Sequence, residues 1–338
     1  MTTESLPRHT HHAAPAHEPP PALRAAGIVA VLVVAIAIVA IAFAVPAAKS
    51  KPHDVPIGAA GPQVAGGQVA DMLDQHASGA FDVTYYPSED ALRDAIRNRD
   101  VYGGFAVGPE GRKLLTATGA SPAVAQLLTQ VGNGIAQHAG VQLTTEDVVP
   151  PTKDDPRGAG LAAAALPVTL AGLLPAIALV LVLRREVWTR LTAAVVFAGL
   201  AGVTIAALLR YVLGSIDANF WGVAGGLTLG LLAAGLAMLG LGSLFGRAGL
   251  AVGSLLAVLL GNPMSGLTSA PELLPSGWGA LGQWLPQGAN ATLLRSTAFF
   301  GGAGATMAIV VLSLWALAGL TLIVIAAVRN GKDAKVPG

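Results

Sequence analysis

Charged and proline side chains set in apolar surroundings are where this 338-residue sequence could do chemistry. Arg210 stands near the end of an apolar run, and Asp217 follows about two helical turns later. Glu272 and Arg295 are the only charges in a long stretch of intermediate hydropathy, residues 265–302. A charge at mid-bilayer costs roughly 2.5–3.5 kcal/mol on insertion scales, whereas one near the interface can snorkel to water. Arg210 therefore has two readings, a snorkelling side chain or half of a functional ion pair with Asp217. Glu272 and Arg295 either pair with each other or face an outward cavity. Pro167 and Pro175 each remove an intrahelical hydrogen bond, which serves a hinge or a passive packing kink. Together, Pro167, Pro175, Arg210, Asp217, Glu272 and Arg295 are the candidate transport-path or gating residues.

Other chemistry lacks its residues. No GxxxxGK[ST] loop is present, and the only Gly-Lys pair, Gly331-Lys332, is followed by Asp333. HExxH and GxSxG are absent as well, so no catalytic residue is assigned and the chain is not read as an enzyme. There is no cysteine, which excludes disulfides and thiolate metal sites. His9, His11, His12 and His17 lie in a Pro- and His-rich tail that fixes no ligand geometry, and His53, His76 and His138 are scattered. No metal or cofactor is expected. A net charge of +1 without a basic block gives no footprint for nucleic acid.

The elements that position these residues follow from hydropathy. Hydrophobic residues make up 53% of the chain and charged residues 12%, and apolar runs long enough to cross a bilayer recur. The sequence predicts a polytopic α-helical membrane protein of about six transmembrane helices. A small extracytoplasmic α/β domain is inserted between helices 1 and 2. Residues 1–22 read as a disordered tail, and 23–45 as the first span, an uncleaved signal anchor. The remaining spans are placed at about 158–183, 191–213, 220–245, 248–267 and 303–328, with a cytoplasmic tail at 329–338. Asn262-Pro263 breaks the fifth span, and residues 268–300, which carry Trp278, Trp284 and two Leu-Pro pairs, form an outer re-entrant segment. Gly225, Gly226, Gly230, Gly235, Gly240, Gly242 and Gly246 let backbones approach closely along the fourth span.

Residues 46–157 show soluble periodicities. Strands are expected at 54–60, 81–86, 101–107 and 113–117, with a final extended segment at 141–149. Helices are expected at 64–76, from an N-cap at Ser88, and at 122–139. Val69, Met72 and Leu73 share one face of the first of these helices. Arg24, Arg184, Arg185, Arg190, Arg247, Arg329, Lys332 and Lys335 fall on one side of a six-span layout. The positive-inside rule makes that side cytoplasmic. A bacterial inner-membrane location follows, with both termini in the cytoplasm and residues 46–157 outside.

One span, a large outer domain and five clustered spans form a layout that resembles ABC-2-type exporter permeases, including phage-infection-protein-like membrane proteins. The local pattern Asn262-Pro263, Leu274-Pro275, Trp284-Leu285-Pro286 and Leu294-Arg295 before the last span is similar too. The resemblance covers most of residues 23–330. It implies a permease subunit moving an unidentified substrate outward, paired as a homodimer or heterodimer in the bilayer and driven by a separate ATP-binding-cassette ATPase. Arg184, Arg185, Trp188 and Arg190, with Arg247, are the docking surface the sequence offers such an ATPase. The loop that carries them is much shorter than the family's coupling helix. A second reading is therefore a non-transporting envelope protein whose outer domain binds a protein or cell-wall partner.

Overall fold

A computed structural model describes residues 20–108, 111–183, 186–267 and 269–333. The expected tail up to residue 19, the pair Arg184-Arg185 and Lys335 lie outside them, as do the side chains of Val69 and Lys332. The chain falls into two units, divided at Ile41–Ala42. Helix α1 (Pro21–Ala48) begins in the first. Its 26-residue run Pro21–Pro46, apolar but for Arg24, spans roughly 39 Å at ~1.5 Å per residue, enough to cross a bilayer. Its Leu, Ile and Val side chains are exposed along its length, which water would penalise and lipid does not.

The second unit opens with the polar domain. Its elements are β1 (Val55–Ala60), α2 (Gln63–His76), β2 (Phe81–Tyr86), α3 (Glu89–Arg97), β3 (Gly103–Gly108), β4 (Gly111–Thr116), α4 (Pro122–Ala139) and β5 (Leu143–Asp147). The strands form one sheet in the order β2-β1-β3-β4-β5, with β3–β4 antiparallel and the other pairs parallel. Strand alternation divides the core between the two faces. Val55, Ile57, Phe105 and Leu114 join Leu73 of α2 and Val124 and Leu128 of α4. Ala60, Ala106 and Leu115 join Leu92, Ala95 and Ile96 of α3. Ser88 caps α3 by accepting the Ala91 N–H, and Ser121 caps α4 through Val124 N–H.

The apolar helices follow. The expected second span is found in two pieces, α5 (Ala159–Ala163) and α6 (Ala165–Val182), with the break at Ala164. Pro167 explains the break, because it has no N–H to return to Ala163 and sits comfortably in the first turn of a new helix. Pro175 lies inside α6, which continues through it. Helix α7 (Val187–Ala207) widens into a π-helical turn, Leu208–Val212, that carries Arg210. Helix α8 (Phe220–Leu256) runs on through a second π turn to Gly261. Five helices are long and apolar enough to cross a membrane, and this 42-residue run is one of them.

That run is not straight. Gly246 adopts φ 62°, ψ −138°, a conformation open essentially to glycine alone. The arms on either side fold back on each other. A Cβ placed on Gly249 would strike the Leu241 carbonyl, and one on Gly253 would lie 3.0 Å from Met238 Sδ. Residues 15 positions apart along a straight helix would instead be about 22 Å apart. The second arm, 247–261, is itself only about 22 Å long. The helix stops at Gly261, next to the Asn262-Pro263 break read from the sequence, and irregular backbone takes the place of the end of the run expected at 248–267. Helices α9 (Trp278–Gln283) and α10 (Pro286–Phe299) come next, and α11 (Thr306–Asp333) closes the chain. Helix α8 is the hub, packed against α6, α7, α10 and α11.

Gly246→Ala should destabilise the fold by about 1–3 kcal/mol, the usual cost of a forced backbone conformation. Thermal unfolding of the purified protein in detergent would show a lowered Tm. Gly225→Ala, where a Cβ meets nothing within 4 Å, should leave Tm unchanged or raise it.

Candidate functional site

The polar domain rests on the segment between Gly261 and α10. Lys51 N–H donates to the Leu273 carbonyl at 3.1 Å, His53 N–H to the Glu272 carbonyl at 3.0 Å, and Ser50 Oγ to the Leu273 carbonyl at 2.6 Å. Ala270 and Leu273 enter the apolar core beneath the sheet. A cavity of about 470 Å³ opens at this joint. Its walls come from the polar domain (His53, Arg99, Tyr102), from the turn around Glu272 and from α10 (Thr292, Arg295).

Glu272 lies on a short 3-10 turn, Pro271–Leu273, and its Oε2 accepts the Tyr102 hydroxyl at 2.8 Å. Burial, then the adjacent carboxylate, push the Tyr102 phenol well above its ordinary range, so it stays protonated and donates. Arg295 is only 7% exposed. Its guanidinium donates to the carbonyls of Gly266, at 2.7 Å, and Leu267. These carbonyls belong to the chain that leaves the broken helix. Arg295 thus ties α10 to backbone that has no helical partner of its own. Gln283 supports the same turn by donating to the Ser265 carbonyl at 3.4 Å while accepting Thr292 Oγ1 at 2.7 Å.

Arg99 completes the wall. It follows the α3 C-cap with φ 65°, a left-handed conformation that glycine or asparagine normally takes at a helix end. Its Nη1 reaches α10, donating to the Thr292 carbonyl at 3.1 Å and to Ser296 Oγ. The guanidinium also sits 5.2 Å from the centre of the Phe300 ring. Burial lowers the Arg99 pKa, an effect opposed by Tyr102 and Glu272, and the group remains a cation.

Of the six residues singled out from sequence, Glu272 and Arg295 are brought to this one cavity. They form no ion pair within 4 Å; each is satisfied by another group. The remaining four lie elsewhere. Pro167 is exposed and Pro175 half-buried on α6. Arg210 is half-buried, 5.8 Å from the ring of its neighbour Tyr211. Asp217 is exposed, and among the described residues no carboxylate lies within 4 Å of Arg210. In the proposed docking surface, Trp188 is 61% exposed and Arg247 is exposed beside the Gly246 fold. Arg190 turns inward instead, 2% exposed on the face it shares with buried Val187 and Ala194, so it offers no docking surface. Arg99 and Tyr102 went unnoticed in the sequence. The signal for Arg99 was an arginine in the Asn98-Arg99-Asp100 run, where the end of α3 calls for glycine.

Comparison with protein-family models, with curated proteins and with solved structures returns no match to this chain.

Tyr102→Phe would leave the half-buried Glu272 carboxylate without its donor, at a cost of about 1–3 kcal/mol. A lowered Tm and faster limited proteolysis at the domain joint are expected. Tyr211→Phe, on a side chain 75% exposed, should change neither.

Proposed function

We propose that this chain is a permease-like subunit of an ABC-2-type export system, moving a substrate outward on energy from a separate ATPase. The observation that carries the reading is the break after Gly261. A helix arm too short to finish a crossing is followed by two short helices, which seat under the polar domain before the last long helix begins. Taking the second arm of α8 together with the irregular segment that follows it as one return crossing gives six crossings. The polar domain, the α7–α8 connection and the α9–α10 pair then share one side, and the Gly246 fold lies on the other. Contacts support that grouping: Thr152 Oγ1 donates to the Gly214 carbonyl, Ser215 Oγ to Asp155 at 2.8 Å, and Asn219 Nδ2 to the Thr297 carbonyl at 2.8 Å. Arg247 marks the far side as cytoplasmic under the positive-inside rule. In this reading the cavity at Glu272 and Arg295 belongs to the outward half of the path.

One observation favours the alternative of an envelope protein that transports nothing. Helix α6 ends at Val182 and α7 begins at Val187, so the turn between them offers a motor little surface.

The absence of native cysteine makes topology directly testable. A cysteine at exposed Asp90 should react with an impermeant thiol reagent in spheroplasts, and one at Arg247 should react only after lysis. The reverse pattern would overturn the orientation. Affinity purification in mild detergent should recover an ATP-binding-cassette ATPase, and deleting the gene should reduce efflux of a substrate. If no ATPase co-purifies and efflux is unchanged, the export reading fails and the envelope reading stands.

A further inference from the structure

The cavity at the domain joint has a neighbour of opposite character. A mostly apolar groove of about 620 Å³ runs beside the end of α5 and the start of α6, lined by Phe43, Pro46, Ala163, Leu166 and Pro263, among others. Leu274 lines both the cavity and the groove. Ser50, Asn262, Ser265 and Ser269 also line the groove, but its wall is mostly apolar and the cavity is the more polar of the two, so the pair is amphipathic. Trp278 on α9 and Trp284 just after it flank residues that line the cavity, and indoles favour the membrane interface, which suits headgroup depth.

Charge narrows the occupant further. Arg99 and Arg295 contribute two positive charges to the cavity wall, Glu272 returns one negative charge, and Tyr102 is a neutral phenol. Asp54 also lines the cavity but is exposed at its edge, where water screens it. Inside the cavity positive charge thus exceeds negative by one, and Asp54 balances it only from the exposed edge. Both guanidiniums keep free donors. Arg295 spends hydrogens on two carbonyls, Arg99 spends only those of Nη1, and each side chain has five.

We propose that cavity and groove together hold one glycerophospholipid, its monoanionic phosphodiester against Arg99 and Arg295 and an acyl chain in the groove past Leu274. Guanidinium matches phosphate oxygens with paired donors, and a single negative charge balances the cavity. The chain would replace water along the groove at roughly 0.8 kcal/mol per buried methylene. The inference concerns binding alone and goes beyond the export reading, because it requires neither a motor nor transport.

Native mass spectrometry of the full chain in mild detergent tests it, with dioctanoyl phosphatidylglycerol, dioctanoyl phosphatidylcholine and inorganic phosphate as probes. The expected result is one bound phosphatidylglycerol, held at least tenfold more tightly than phosphatidylcholine, and no competition from millimolar phosphate. Arg99→Gln should weaken phosphatidylglycerol at least tenfold and leave phosphatidylcholine unchanged, while Arg99→Lys retains most of the preference. Ala163→Trp, which fills the groove and leaves both arginines intact, should weaken both lipids. Equal affinity for the two lipids, or an unaltered preference in Arg99→Gln of wild-type Tm, overturns the proposal. Displacement of phosphatidylglycerol by phosphate would show that the arginines serve a free phosphate, and that too overturns it. Undiminished binding in Ala163→Trp removes the groove from the site and the lipid with it. Efflux and ATPase recovery play no part, so failure here is separate from failure of the export reading.

Discussion

Backbone that leaves a helix inside apolar surroundings must find hydrogen-bond partners, and the architecture around α9 and α10 is built on meeting that demand. When α8 ends at Gly261, the carbonyls of Ser265, Gly266 and Leu267 lose any helical donor. Gln283 supplies one and Arg295 supplies two. An unsatisfied buried polar group costs about 1–3 kcal/mol even in mutational data, and more in hydrocarbon. Arg295 therefore resolves two problems with one contact. The carbonyls gain donors, and the buried guanidinium gains partial countercharge from their dipoles. Lysine, with one point charge on a flexible stem, could not span both carbonyls in the same way.

Once that turn is fixed, the polar domain has a floor. Glu272 and Leu273 present their carbonyls to the backbone of residues 51–53, and Leu273 closes the apolar layer beneath the sheet. The domain answers from above with Tyr102 and Arg99, which reach Glu272 and α10. The joint is therefore polar at its centre and apolar at its margin. Interfaces between domains of one chain tend to be of this kind, and they permit relative motion more readily than a purely apolar seam.

Much of this was legible in the sequence, because local periodicity writes local structure. Helical spacing of Ala91, Leu92, Ala95 and Ile96 marks the inward face of α3, on which all but half-buried Ala91 are buried, and Ser88 marks its cap. Asn262-Pro263 announced the end of a helix, and Gly246-Arg247 the place where α8 folds. The break at Ala164 was also within reach, since Pro167 stood in plain view inside an expected continuous span. What could not be read was docking. Arg99 and Thr292 are 193 residues apart in sequence, and Tyr102 and Glu272 are 170 apart. No period or composition links them. Arg190 shows a subtler limit. Its basic neighbours suggested an outward turn, but the helical spacing of Val187, Arg190 and Ala194 places all three on one buried face. Phase outweighed charge there, because packing against the α8 arms sets the rotation of α7.

The joint also constrains mechanism. Arg99 belongs to the polar domain and Arg295 to α10, and both line one cavity. A ligand that bridges them adds free energy only to the arrangement in which the two elements are apposed, so it stabilises that arrangement over any in which they part. A bilayer component drawn in from the side, through the groove at Ala163 and Leu166, would couple the state of the membrane to the seating of the domain. The broken helix lies directly beneath, anchored by the same Arg295 that faces the cavity. The polar domain reaches α10 through Arg99, and Arg295 of the same helix holds the backbone after Gly261, so both sets of contacts converge on α10.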